Sequence, residues 1–200
     1  MADVDDAVAA IRRGELAIVP TDTVYGLATT PHRQAAVEAL YRAKGRQERQ
    51  PTALVAADLE RLQELLPELP PRAEAIARAL LPGPYTLILP NPAERFPWLA
   101  GTRPDAIGVR VPALEGAARE LLTQVGALVA TSANLPGGRD PRTLDDVPAE
   151  LRAAAAAEVD GGELPGTPST VIDVTGEEPA VLREGVVPAA DALRAVASVL

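Results

Sequence analysis

Short apolar runs alternate with segments of helical period along nearly the whole chain, and this alternation restricts the fold more than any other feature of the sequence. The runs Leu16–Val19, Ala53–Ala56, Tyr85–Leu89, Ile107–Val111, Leu128–Thr131, Val171–Val174 and Ala180–Arg183 read as strands, the last two folding back around Gly176. Between them, Asp3–Arg13 carries Val4, Ala7, Val8 and Ile11 on one helical face, with Gly14 as its stop, and Arg33–Ala43 carries Ala36, Val37, Leu40 and Tyr41. Further helices are expected over Asp58–Leu66, capped by Asp58, over Pro71–Leu80, with proline in the tolerated first turn, over Leu114–Gln124 and over Ala190–Leu200. Leu144–Ala157 should hold one or two short helices, the Ala153–Ala157 run included, while 132–142 and 159–169 are Gly- and Pro-rich loops. Interleaved strands and helices predict an α/β fold, or α+β, around a mixed sheet. No Pro/Ser-rich linker divides the chain, so residues 1–200 are expected to form a single domain.

Composition removes several function classes. At 47% hydrophobic and 24% charged the chain is globular rather than disordered. Its net charge of −9 argues against a surface built to hold a nucleic-acid backbone, though a local basic pocket stays compatible with it. Cysteine is absent, which excludes disulfides, thiolate metal sites and a cysteine nucleophile. His32 is the only histidine, so a multi-histidine zinc site is excluded and a Ser-His-Asp triad would have to use it. The stretch Met1–Ala10 is acidic and lacks the basic region of a secretory signal. Pro82, Pro84 and Pro90 break the best apolar run, so no membrane-spanning segment and no membrane partner are expected, and the expected location is the cytoplasm.

Neither the G-x-x-x-x-G-K-[ST] loop nor G-x-G-x-x-G occurs, so a nucleotide would have to be held some other way. Polar groups instead collect at strand ends. Pro20–Leu27 offers two hydroxyls, a carboxylate and a phenol, either as an Asx/ST turn with a helix cap or as ligand contacts. Lys44 is the only lysine among 19 Lys and Arg residues. It ends a helix before Gly45, where a cation suits the helix dipole, but a compact ammonium also suits a phosphate. Arg110 interrupts an apolar strand and needs an anionic partner, either a protein carboxylate or a ligand's. Ala130–Asn134 follows a strand as a cap cluster or as a small-residue approach to a ligand. Thr86, beyond Pro82-Gly83-Pro84, faces a ligand or simply sits in its strand. With Arg46 and Arg183, four cations at loop–strand junctions of an acidic protein describe a pocket for an anionic small molecule with phosphate and carboxylate groups. Chemistry driven by positioning and charge stabilisation, as in phosphoryl or nucleotidyl transfer, fits this set.

The segments PTDTVYGL (20–27), K-x-R (44–46), PGPYT (82–86), GVRVP (108–112), TSAN (131–134), STVID (169–173) and LREG (182–185) resemble, in this order, the motifs of the YrdC-like family, the threonylcarbamoyl-AMP synthases. The resemblance covers nearly the whole chain. It implies a single twisted α/β domain with a large concave cleft, and condensation of L-threonine, bicarbonate or CO2 and ATP into L-threonylcarbamoyladenylate and pyrophosphate. The product would feed tRNA N6-threonylcarbamoyladenosine formation by a downstream transferase complex, with at most a weak direct contact to tRNA. It further implies that Lys44, Arg46, Ser132, Asn134, Ser169 and Arg183 hold ATP, with Lys44 and Arg46 catalytic, and that Thr23 and Arg110 hold threonine, Arg110 on its carboxyl group. Mg2+ would arrive with the nucleotide, and no resident metal site is expected. Many long members have proline after K-x-R and a histidine in the next strand; here the positions are Gln47 and Val55, as in some short bacterial members, so that histidine's substrate contact is expected to be absent. Long members also carry a C-terminal accessory domain whose linker closes the cleft; with the chain stopping at Leu200, closure is expected to be managed otherwise. Two competing functions are a carbamoyl-AMP-forming enzyme, as in hydrogenase maturation, and a non-catalytic RNA-binding maturation module.

Overall fold

The computed structural model describes residues 4–45 and 50–199. Arg46 and Gln47 lie outside the described residues. In chain order the elements are α1 (Val4–Arg13), β1 (Ala17–Val19), β2 (Gly26–Thr29), α2 (Gln34–Ala43), β3 (Ala53–Ala56), α3 (Leu59–Leu65), α4 (Pro71–Leu80), β4 (Tyr85–Pro90), β5 (Ala106–Arg110), α5 (Gly116–Val125), β6 (Ala127–Ser132), α6 (Ala149–Ala154), β7 (Ala157–Glu158), β8 (Thr170–Asp173), β9 (Ala180–Arg183) and α7 (Ala189–Ala197). Short 3-10 turns occur at Pro97–Leu99 and Leu144–Asp146.

The strands form one mixed nine-stranded sheet in the order β7-β1-β2-β6-β3-β5-β4-β8-β9. β7 with β1, β3 with β5 and β4 with β8 pair in parallel; the other neighbours are antiparallel. Local signals explain the helix ends. Gly14 stops α1 at φ +86°, the Asp58 carboxylate accepts the Arg61 N–H at the start of α3, and Pro71 occupies the first turn of α4.

Two-residue alternation divides the strand side chains between two layers. Ile18, Leu27, Leu54, Leu87, Leu89, Ile107, Val109, Val129 and Ile172 pack in one core with the apolar faces of α2, α3, α4 and α7. On the other face Ala17, Val19, Ala28, Val55 and Leu128 pack under α1 and α5, but this cover reaches only the β7-β1-β2-β6-β3 half of the sheet. Over the rest, the same face presents Ala53, Thr86, Ile88, Ala106, Gly108 and Val171 to a cleft. Registers Leu54 with Val109 and Leu87 with both Val109 and Ile172 keep the bulky residues on the covered side across four strands.

Two strands escape the sequence pattern. β2 follows directly on the polar turn at 20–25 and has no alternation of its own. β7 corrects the expectation that Ala153–Ala157 is helical throughout. The helix stops at Ala154, and Ala156 and Val159 donate their N–H groups to the carbonyls of Leu16, just before β1, and of Ile18 within it. Pairing with a sheet edge outweighs alanine's helix preference there. The helix expected from Leu114 starts at Gly116.

Gly185 is packed as tightly as the fold allows. A Cβ there would stand 2.2 Å from the Pro168 carbonyl oxygen and 2.5 Å from the Ser169 carbonyl carbon. At Gly176 the nearest atom would be 3.7 Å away. Gly185→Ala is expected to lower the thermal midpoint by roughly 2–10 °C, and Gly176→Ala to leave it nearly unchanged, by differential scanning calorimetry.

Candidate active site

The uncovered sheet face floors a cleft of about 300 Å³ that opens to solvent. Its residues are small where the floor must stay low, at Ala53, Gly108 and Ala130, and polar at the rim. Thr23, Arg110, Ser132, Ser169 and Arg183 all line it.

The turn between β1 and β2 supplies the first wall. Thr21 Oγ1 accepts the N–H groups of Thr23 and Val24 and donates to the Val24 carbonyl, the ST turn expected from the sequence; a strand rather than a helix follows. This turn holds Thr23, fully buried, with its hydroxyl 3.1 Å from Thr21 Oγ1 and 3.5 Å from Arg110 Nη2. Tyr25, also fully buried, ties the turn to the 160–162 loop: its hydroxyl accepts the Gly161 N–H and lies 2.8 Å from the Gly162 carbonyl oxygen and 3.1 Å from Asp160 Oδ1.

Arg110, at the end of β5, has a protein carboxylate as its partner. Its Nη2 donates to Asp22 Oδ1 at 2.6 Å, with the side chains 13% and 10% exposed. Burial pushes the Asp22 carboxyl above its usual range against the pull of Arg110. Burial likewise lowers the Arg110 guanidinium, Asp22 raises it, and nearby Arg183 lowers it further. At Asp22, burial thus outweighs the pull of Arg110. Arg110 also borders a smaller apolar annex beneath α5, walled by Val19, Val24, Val55, Leu121 and Leu128.

Lys44, 2% exposed, reaches from the end of α2 to the segment after β6. Its ammonium donates to the carbonyl oxygens of Ser132 (2.6 Å) and Asn134 and to Asn134 Oδ1 (2.9 Å). Three acceptors so close together suit a compact ammonium and not a planar guanidinium. Ser132 Oγ donates to Asn134 Oδ1, and Asn134 Nδ2 donates to the Gly138 carbonyl and to Asp140 Oδ1, so the loop after β6 is organised around one asparagine. Across the cleft, Ser169 Oγ lies 2.8 Å from Thr86 Oγ1, which settles that Thr86 faces the cleft, and Arg183 Nη2 donates to the Ser169 carbonyl (2.9 Å) and hydroxyl (3.2 Å).

The fold therefore gathers Thr23, Arg110, Ser132, Ser169 and Arg183, with Lys44 and Asn134 bound to the same wall through Ser132. Sequence reasoning gave no role to Asp22, although it is the one carboxylate of the 20–27 turn. Thr52, Arg103 and Asp140 also line the cleft and were not singled out. Arg103 is held by Asp173 at 2.8 Å and by Thr175. No sequence pattern marks Thr52 or Arg103. His32 packs against Phe96 and is not among the lining residues. Among the described residues, no three His, Cys, Asp or Glu side chains gather as metal ligands, and no helix is long and apolar enough to cross a membrane.

Comparison with known proteins adds to this geometry. The profile of the family described as Sua5/YciO/YrdC, telomere recombination, matches residues 9–185. A threonylcarbamoyl-AMP synthase of Pyrococcus abyssi is 37% identical over 89% of this chain; the chain spans 52% of that relative's length. A threonylcarbamoyl-AMP synthase of Halorhodospira halophila is 35% identical, over 90% of this chain and 88% of its own. The crystal structure of P. abyssi Sua5 complexed with L-threonine superposes with a TM-score of 0.87 at 34% identity, covering 98% of this chain and 58% of the other.

The strain in the Asp22–Arg110 pair can be measured. Because the folded Asp22 pKa is raised, the native state binds more protons than the unfolded chain just above the ordinary aspartate range, and Asp22 contributes less stability as pH rises through that window. Arg110→Met leaves the carboxylate unpaired and is expected to cost about 3–5 kcal/mol at neutral pH, less in acid. The double variant Asp22→Asn/Arg110→Met is expected to melt at or above the wild-type temperature. Thermal melts across pH check both.

Proposed function

Because the chain belongs to the Sua5/YciO/YrdC family, we propose that it is an L-threonylcarbamoyladenylate synthase, an ATP-consuming nucleotidyltransferase. One observation carries the reading: Arg110 and Arg183 converge with the hydroxyls of Thr23, Ser132 and Ser169 on a single cleft above bare strands. Such a set suits two anionic substrates, an amino acid and a nucleotide.

In this reading Arg110 binds the threonine carboxylate beside Thr23. Arg183, Ser169, Ser132 and Asn134 bind ATP. Lys44 acts through the 132–134 segment that it fastens, and Arg46 is carried over from the family's K-x-R motif as an ATP-binding, catalytic residue. The threonine ammonium first releases a proton to solvent, and the free amine then takes up CO2 and loses a second proton to give a carbamate. A carbamate oxygen then attacks the α-phosphorus, the bond to the β-phosphate oxygen breaks, and pyrophosphate leaves. Attacking and leaving groups are both anions, so the cleft's work is to screen their repulsion and hold them in line. No histidine base is needed. Mg2+ fits this donor set as a companion of the phosphates, with Asp140 as the acidic lining residue and hydroxyls beside it; when bound it supplies charge neutralisation on the phosphate oxygens. The reading carries with it a cytoplasmic location, a downstream complex that transfers the threonylcarbamoyl group to tRNA, and at most weak contact of this acidic chain with tRNA itself.

The test is pyrophosphate release from ATP. It is expected to require both L-threonine and bicarbonate. Release without threonine would favour carbamoyl-AMP formation, and no release from the folded protein with Mg2+ would favour a binding module. Arg110→Ala is expected to raise the threonine KM, and Lys44→Ala to lower turnover, each by more than about tenfold. Near-wild-type kinetics in both would break the site assignment.

A further inference from the structure

Two cavities meet at Arg110: the cleft, and the annex of about 60 Å³ beneath α5. They also share Val24, Ala130 and Ser132, so the guanidinium stands at their boundary. Their linings differ in kind. Hydroxyls and arginines rim the cleft. The annex is walled by Val19, Val55, Leu121 and Leu128, all buried. Of the hydroxyls beside it, Thr21 is spent on its own turn, accepting the N–H groups of Thr23 and Val24 and donating to the Val24 carbonyl, and Ser132 donates to Asn134. A single water needs roughly 10–15 Å³ of such room, so the annex admits a group of a few heavy atoms and no long side chain. Its aliphatic walls suit an apolar group better than a polar one.

An α-amino acid seated on Arg110 by its carboxylate has to divide its remaining groups between these cavities. The amine belongs to the cleft, because the nitrogen must become a carbamate within reach of the α-phosphorus. The side chain is left with the other cavity that Arg110 borders.

We propose that the annex receives the methyl group of the substrate, and that its walls thereby make this chain select L-threonine over L-serine. This rests on the reading of the cleft as a site where an amino acid is activated. Val55 and Leu128 from the sheet, and Ala118 and Leu121 from α5, are then specificity-determining residues that meet the side chain of the amino acid and not its reacting nitrogen. α5 so has a second task besides covering its half of the sheet: it closes the annex over the substrate's methyl group. A missing methyl in an apolar pocket lowers use of a substrate by roughly 10–200-fold, which sets the size of the effect.

The experiment is pyrophosphate release by the full chain with L-threonine and with L-serine at saturating ATP and bicarbonate, read as the ratio of the two kcat/KM values. That ratio does not depend on the fraction of protein that is folded. Wild type is expected to favour L-threonine by about tenfold or more. Ala118→Leu fills the annex from α5, at a half-buried position where leucine suits a helix. It is expected to bring the ratio close to one by lowering the use of L-threonine. Val55→Leu fills the annex from the sheet side and is expected to shift the ratio in the same direction; it decides if Ala118→Leu does not fold. A wild-type ratio near one overturns the proposal, and so does a wild-type ratio in a folded, filled variant. No pyrophosphate release with either amino acid from folded wild type would instead overturn the reading of the cleft, and the proposal with it.

Discussion

The strands β3, β4, β5 and β8 send most of their bulky aliphatic side chains to one helix-covered face, and the opposite face, open to the cleft over β4, β5 and β8, carries mostly small or polar side chains beside Ile88 and Val171. Leu54, Leu87, Leu89, Ile107, Val109 and Ile172 face α2, α3, α4 and α7, while Ala53, Thr86, Ala106, Gly108 and Val171 are left to the cleft. The division follows from the strand period, because a slip of one residue would bury the polar set and expose the apolar one. It fixes where a ligand can enter. It also explains why the polar motifs lie where strands end, since the strand interiors are committed to packing.

Function in this cleft is bought with stability at one place. Burial outweighs the pull of Arg110 on Asp22, Arg110 is held down by burial and by Arg183, and both side chains keep an unsatisfied atom. A buried pair of this kind is weak evidence for stability. The surrounding contacts are of the opposite kind. Tyr25 fastens the 160–162 loop, Lys44 fastens 132–134, and Thr170 accepts the N–H groups of Gly185 and Val187. Satisfied groups thus brace the walls against which the strained pair is held.

Much of this was legible in the sequence. The strands Ala53–Ala56, Tyr85–Leu89 and Ala180–Arg183 announce themselves by apolar runs between turn residues, and the helix ends by Gly14, Asp58 and Pro71. The α/β class with a mixed sheet follows from their order. What was not legible depends on tertiary pairing. β2 lacks a pattern of its own and exists because β1 and β6 flank it. Ala157 leaves a helical run because an edge of β1 is open to it. Among site residues, the order of motifs marks Thr23, Arg110, Ser132, Asn134, Ser169 and Arg183. It could not tell that the strand arginine meets Asp22, since a protein carboxylate and a ligand carboxylate satisfy the same requirement. Nor could it tell that the lone lysine meets protein oxygens from 132–134, because one ammonium serves carbonyls and phosphates alike.

The bare sheet face is the premise from which the rest proceeds, and Gly108 lies at its centre. A Cβ there meets only Ala53 and Thr86 atoms at 3.7–3.9 Å, ordinary contact distances, so the strand tolerates a side chain. The most direct measurement is the threonine-dependent pyrophosphate release of Gly108→Val beside its thermal melt. A cleft that works through its low floor predicts a melting temperature at or above wild type, since valine suits a strand, together with loss of most of the activity. Wild-type activity in a stably folded Gly108→Val protein would contradict the account and move the site elsewhere.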